Sequence, residues 1–129
     1  MPAALPPRPT DAELTILRVL WAKGPSTVRQ VHDVLASGHA PGYTTVLKLL
    51  QIMTDKGLVV RDERARTHVY EAASSEAHTQ KQLITDLVDR LFDGSAAKLV
   101  LQALSAGKAT PAELAEIRKL LDKHRGSRK

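Results

Sequence analysis

Residues 42–73 constrain the fold of this chain more than any other stretch of the sequence. A helical pattern runs over residues 44–56 and stops at a glycine, which is a common helix terminator. Two short β-prone runs follow, over residues 58–61 and 67–72, and the charged residues 62–66 separate them. A helix that leads directly into a small hairpin with a basic tip is the layout of a winged helix.

Two helical segments precede this stretch, so its helix is the third of a helix-turn-helix core. The first segment begins with Thr10 as N-cap and Glu13 three residues later, a capping box, and ends at Gly24-Pro25. The second is predicted to begin with Ser26 as N-cap. The third helix then stands where a recognition helix enters the major groove of DNA.

The remaining sequence predicts a simple organisation around that core. Residues 1–9 contain four prolines and no apolar segment, so they are predicted to be a disordered leader and not a signal peptide. Residues 10–73 form the winged-helix domain, residues 74–126 a helical dimerisation region, and residues 127–129 a basic tail. The predicted fold is mainly α with a small β-wing: a winged helix-turn-helix domain joined to a C-terminal three-helix dimerisation module.

The apolar stripes of the last three helices suggest the dimer. The middle helix is apolar over most of its circumference, and such a helix needs partners on several sides. Burial against a second copy is the simplest solution, and the alternative is an intramolecular core packed on the winged helix. The residues predicted to form the dimer contact are Leu87, Leu91, Val100, Leu101, Leu104, Ile117 and Leu121.

Composition excludes several classes of function. The chain of 129 residues has no cysteine, which removes disulfides, thiolate catalysis and metal sites built on sulfur. No apolar run approaches the roughly 20 residues that span a bilayer, so no membrane insertion is expected and a cytoplasmic location fits. No pair of the five histidines has the spacing of a helical metal site, and no catalytic motif is present. We therefore predict no enzyme activity, no metal and no cofactor.

The excess of 19 Lys+Arg over 14 Asp+Glu permits a polyanionic partner, and local placement indicates where double-stranded DNA would lie. Polar residues on one side of the third helix suit base edges and phosphates. Arginines at the wing tip and residues at the start of the second helix suit phosphates. The predicted DNA-binding residues are Thr27, Arg29, Thr44, Thr45, Lys48, Gln51, Arg64, Arg66 and His68.

Several runs resemble the penicillinase-repressor (BlaI/MecI) family across residues 10–124. They are DAELTILRVLW, TTVLKLLQIMTDKGLV, THVY, KLVLQALSAG and TPAELAEIRKLL. The resemblance implies a homodimeric transcriptional repressor on an inverted-repeat operator, with control of β-lactam resistance or sensor genes. It also implies a membrane zinc-peptidase sensor as partner, whose activation leads to cleavage of the repressor.

The cleaved bond implied by the resemblance lies in the helix around residues 99–104. The family has an Asn-Phe pair there, and this chain has Gln102-Ala103. The difference puts proteolytic induction in question. The main alternative function is a winged-helix protein-interaction adaptor without sequence-specific DNA binding. A repressor that senses a ligand also stays open, whereas a small hydrolase has no supporting residues.

Overall fold

The computed structural model describes residues 8–36 and 41–127. The predicted leader falls mostly outside this part, as do residues 37–40 and 128–129. The described residues form these elements in chain order: α1 (Asp11–Lys23), β1 (Ser26–Thr27), α2 (Val28–Leu35), α3 (Tyr43–Lys56), β2 (Val59–Asp62), β3 (Val69–Ala72), α4 (Glu76–Leu91), α5 (Ala96–Ser105) and α6 (Pro111–Ser127).

The capping box predicted at the start of α1 is confirmed, and similar caps begin the last three helices. The Thr10 hydroxyl accepts from the backbone N–H of Glu13, whose carboxylate accepts from the N–H of Thr10. Thr110 and Glu113 repeat the same box at the start of α6. Hydroxyl caps also precede α4 and α5, through Ser75 and Ser95. Each cap satisfies backbone donors that the first turn of a helix leaves free.

The predicted start of the second helix was wrong by one residue. Ser26 belongs to β1, where it pairs with Tyr70, and its hydroxyl donates to the carbonyl of Gly24 at 2.8 Å. Thr27 is the N-cap instead, because its hydroxyl accepts from the N–H of Gln30. Strand β1 was not predicted, since two residues carry no alternating pattern of their own.

The wing is a three-stranded antiparallel sheet with the order β1-β3-β2. Strand β2 begins one residue later than predicted, because the N–H of Leu58 donates to the carbonyl of Met53 in the C-terminal motif of α3. Gly57 has φ 83° in that motif, a conformation that favours glycine. Strand β3 starts at Val69, opposite Asp62, so Thr67 and His68 belong to the turn and not to the strand.

The chain divides into two units, and the first, which ends at Leu83, contains the winged helix. One face of each of α1, α2 and α3 packs with the wing strands into a single apolar core. Trp21 packs against this core, and its indole N–H donates to the carbonyl of Ser74 at 2.9 Å. The buried core residues are Ile16, Leu17, Val19, Leu20, Val28, Val31, Val46, Leu50, Met53, Val59 and Tyr70.

The second unit begins at Ile84 and contains the rest of α4 with α5 and α6. Its apolar side chains are largely exposed in the single chain. Leu91 is 68% exposed, Leu101 64% and Leu121 58%, and no residue of α5 is buried. In the described part of the chain, no helix is both long enough and apolar enough to cross a membrane.

Candidate nucleic-acid interface

Helix α3 has a buried apolar face and an exposed polar face. Val46, Leu50 and Met53 are fully buried and fix the helix against the core. Periodicity places the predicted contact residues on the sides that this packing leaves free. Those residues are Thr44, Thr45, Lys48 and Gln51, and all four are exposed.

Two apolar residues flank the polar face of α3 and behave differently. Leu47 is half-buried and packs against the core. Ile52 is 39% exposed. Apolar contact with a thymine methyl group is therefore sterically open to Ile52.

An ion pair holds the C-terminal end of α3. The ammonium of Lys56 lies 2.6 Å from Oε1 of Glu13, and the Glu13 side chain is 3% exposed. Burial alone raises the pKa of Glu13, but the hydrogen bonds from Lys56 and Thr10 and the charge of Lys56 outweigh it, so the pKa is lowered. The same carboxylate thus caps α1 and anchors α3.

The N-terminal end of α3 has a different character. Its N-cap is Gly42, which offers no side-chain oxygen to the first backbone donors, and its first turn contains no acidic residue. Helix N-termini of this kind favour negative charge. The polar strip of α3 therefore begins at an end that is electrostatically suited to a phosphate backbone.

Of the two residues predicted at the start of α2, only Arg29 directs its polar group to solvent. Thr27 is engaged in the capping box with Gln30. Arg29 is exposed, and its guanidinium carbon lies 5.2 Å from the ring centroid of Tyr43. Tyr43 is 41% exposed and was missed from sequence. The sequence could have drawn attention to Tyr43 because aromatic residues are rare in this chain.

The wing carries its charges in close pairs. Asp62 receives hydrogen bonds from the guanidinium and the backbone N–H of Arg64, with a shortest distance of 2.7 Å. These bonds lower the pKa of Asp62 to about 2. Glu63 accepts from Arg61 at 2.9 Å in the same way. Both wing carboxylates are therefore paired with arginines.

The other two residues predicted at the wing, Arg66 and His68, are both exposed. No residue in the described part of the chain forms an ion pair with Arg66. Arg66 therefore offers a full charge to an anion, whereas Arg64 is partly neutralised by Asp62. Metal-ligating clusters of three or more His, Cys, Asp or Glu residues are absent from the described ranges.

Comparisons with known proteins identify the family to which this chain is similar. A family model described as penicillinase repressor matches residues 9–123. The transcriptional regulator BlaI of Mycobacterium tuberculosis is 34% identical over 79 residues, which are 60% of this chain and 54% of that protein. The chain thus spans about half the length of this curated relative. The penicillinase repressor of Bacillus licheniformis is 22% identical over 123 residues, 95% of this chain and 96% of the relative.

Among solved structures, the DNA-binding domain of the repressor BlaI matches with a TM-score of 0.50 and 23% identity. The match covers 57% of this chain and 89% of that domain. At this identity the likeness concerns the fold alone. Together with the helices and the small sheet described above, it confirms the predicted winged-helix fold.

Proposed function

This chain belongs to the penicillinase repressor family, and from that membership we propose that it is a sequence-specific DNA-binding transcriptional repressor and not an enzyme. The observation that carries the proposal is the polar face of α3, which is exposed while the opposite face is fixed in the core. Lys48 and Gln51 read base edges, because both side chains suit the donor and acceptor pattern of the major groove. Other residues contact the sugar-phosphate backbone of the DNA. They are Arg29 on α2, Thr44 and Thr45 on α3, and Arg66 and His68 on the wing.

The repressor acts as a homodimer on an inverted-repeat operator. The exposed leucines of the second unit support this proposal, because soluble chains seldom leave so many large apolar residues on three consecutive helices without a partner. A two-fold dimer presents two α3 helices to two half-sites that are related by the same symmetry. The residues proposed for the interface are the seven predicted above: Leu87, Leu91, Val100, Leu101, Leu104, Ile117 and Leu121.

The name of one relative supports a proposal for the genes that this chain regulates. The protein of Bacillus licheniformis is a penicillinase repressor, so control of β-lactam resistance or sensor genes is the proposal for this chain. A membrane zinc-peptidase sensor is the partner that the family resemblance implies. The gene neighbourhood tests this point directly, because such a sensor is expected next to the repressor gene.

The test of the DNA-binding function is the salt dependence of duplex binding by Lys48→Ala and the wild type. The duplex is the sequence that the wild type selects from a random pool, and a scrambled duplex is the comparison. If Lys48 reads a base, Lys48→Ala costs roughly 1–3 kcal/mol on the selected duplex and relaxes specificity. An adaptor without DNA function would select no sequence and show no steep salt slope.

We propose that release from DNA does not require cutting between Gln102 and Ala103. This pair replaces the Asn-Phe pair of the family, and the dimer would bury most of α5. A protease would then reach the bond only after local opening, which costs free energy. Mass spectrometry of the repressor from induced cells tests the proposal. Fragments that end at Gln102 and begin at Ala103, and that appear in step with derepression, would contradict it.

A further inference from the structure

Three side chains form a cluster between α2 and the start of α3. Arg29 and His32 are three residues apart on α2 and therefore share a face. Tyr43, the first residue of α3, meets both of them. The guanidinium carbon of Arg29 lies 5.2 Å from the centroid of the Tyr43 ring. The His32 ring meets the same ring edge-on, with centroids 6.0 Å apart and an interplanar angle of 71°.

Helix stability does not account for a cation at this place. Arg29 lies in the first turn of α2, where the helix dipole favours acidic residues, and this turn contains none. No residue among those the structure describes forms an ion pair with Arg29. The charge is thus held at a helix end that disfavours it, and the ring of Tyr43 is the group that stabilises it there.

The contact with Tyr43 leaves Arg29 able to bind an anion. A guanidinium carries five N–H donors, and a ring 5.2 Å from its carbon atom leaves the donors on the side away from the ring free. Tyr43 also restricts the rotamers of the arginine, which lowers the entropy lost when Arg29 is immobilised on a partner. His32 contacts the Tyr43 ring edge-on and is not required to contact the phosphate.

We infer that Tyr43 is a positioning residue that holds Arg29 against a DNA phosphate next to the start of the recognition helix. The inference rests on the proposed function, because the phosphate is that of the operator backbone. It adds a role to a residue outside the predicted contact set. It also gives a physical reason for Arg29 to contact DNA from α2.

The experiment measures the affinity of the selected duplex against salt concentration for Tyr43→Leu, Tyr43→Phe and Arg29→Gln. Phenylalanine keeps the ring face, so Tyr43→Phe should bind like the wild type. Tyr43→Leu should weaken binding by roughly two- to fivefold per protomer, the range of an exposed cation–π contact. Arg29→Gln should reduce the salt slope by about 0.9 per protomer, the value for one phosphate contact.

Coupling between the two residues separates positioning from a general structural effect. The double variant Tyr43→Leu/Arg29→Gln should bind no more weakly than Arg29→Gln alone. The control pair is Tyr43→Leu with Arg18→Gln, because Arg18 is exposed on α1 and, among the described residues, Arg29 is the cation that lies over the Tyr43 ring. Their effects should add. Additive effects of Tyr43→Leu and Arg29→Gln, or an unchanged salt slope in Arg29→Gln, would overturn the inference.

The outcome remains readable if Tyr43→Leu is poorly folded, which circular dichroism would reveal. Arg29→Gln changes only an exposed side chain, so an unchanged salt slope in this variant would still overturn the inference. If the wild type binds the selected duplex and Arg29→Gln leaves the salt slope unchanged, the positioning role alone is contradicted. A wild type that binds no duplex sinks the proposed function.

Discussion

At the level of single residues, Asp62 removes much of the positive charge of Arg64 from the wing. The guanidinium donates to both carboxylate oxygens, and the backbone N–H of Arg64 adds a further bond. The pKa of Asp62 is lowered to about 2 by these bonds, first by the side chain of Arg64. Asp62 is therefore ionised at any pH suited to DNA binding, and the pairing persists throughout.

Asp62→Asn should strengthen DNA binding, because it releases Arg64 to contact a phosphate. We expect severalfold tighter binding and a salt slope steeper by about 0.9 per protomer. Fluorescence anisotropy with the selected duplex measures both quantities. Glu71→Gln is the matched control, since it removes an exposed carboxylate of β3 without freeing an arginine. Equal gains from the two variants would mean that only net charge matters.

At the level of elements, the pair Glu13–Lys56 joins the first turn of α1 to the last turn of α3. Glu13→Gln should lower the free energy of unfolding by about 1–2 kcal/mol. This is less than the roughly 3–5 kcal/mol for breaking a fully buried pair, because the Lys56 side chain is 27% exposed. Urea denaturation at neutral pH measures the change.

The pH dependence gives a second, signed outcome for the same pair. The folded-state pKa of Glu13 is lowered from 4.5, so the unfolded state takes up a proton first as the pH falls. The contribution of the pair is complete above pH 4.5 and is lost as the pH falls through the folded-state pKa. The difference between wild type and Glu13→Gln should shrink accordingly.

The exposed pair Glu116–Lys119 provides the control for this comparison. Its atoms are 3.8 Å apart and both side chains are more than three-quarters exposed. Such surface pairs contribute about 0–1 kcal/mol. Glu116→Gln should therefore change stability little at any pH, and an effect as large as that of Glu13→Gln would contradict the role given to burial.

At the level of the whole molecule, the exposed apolar surface of the second unit predicts self-association. Sedimentation at micromolar concentration should show a dimer. Leu101→Asp or Leu121→Asp should raise the dimer dissociation constant by more than about tenfold, because a buried unpaired charge costs well over 1.4 kcal/mol. A wild type that stays monomeric at high concentration contradicts the prediction.

A change outside the apolar stripe of α6 tests whether position matters more than charge. Lys119 lies away from the side on which Ile117 and Leu121 are placed, and it is exposed. Lys119→Asp alters the charge by more than Leu121→Asp does, yet it should leave the dimer intact. Dissociation by Lys119→Asp would point to electrostatic association instead of apolar burial.

Local sequence was enough to place the helices, because the groups that start and stop them are close along the chain. Thr10 and Glu13 are three residues apart, and so are Thr110 and Glu113. Gly57 ends α3 through a backbone conformation that other residues adopt at a cost. The helical period also identified the buried face of α3, since that period depends only on backbone geometry.

Contacts between residues that are distant in the sequence could be identified only from the tertiary structure. Strand β1 exists because Ser26 meets Tyr70, and the position of α3 depends on Lys56 meeting Glu13, 43 residues earlier. The contact of Arg29 with Tyr43 likewise joins two helices. Neither residue propensity nor sequence spacing predicts these long-range contacts, because they depend on how the helices pack around their shared core.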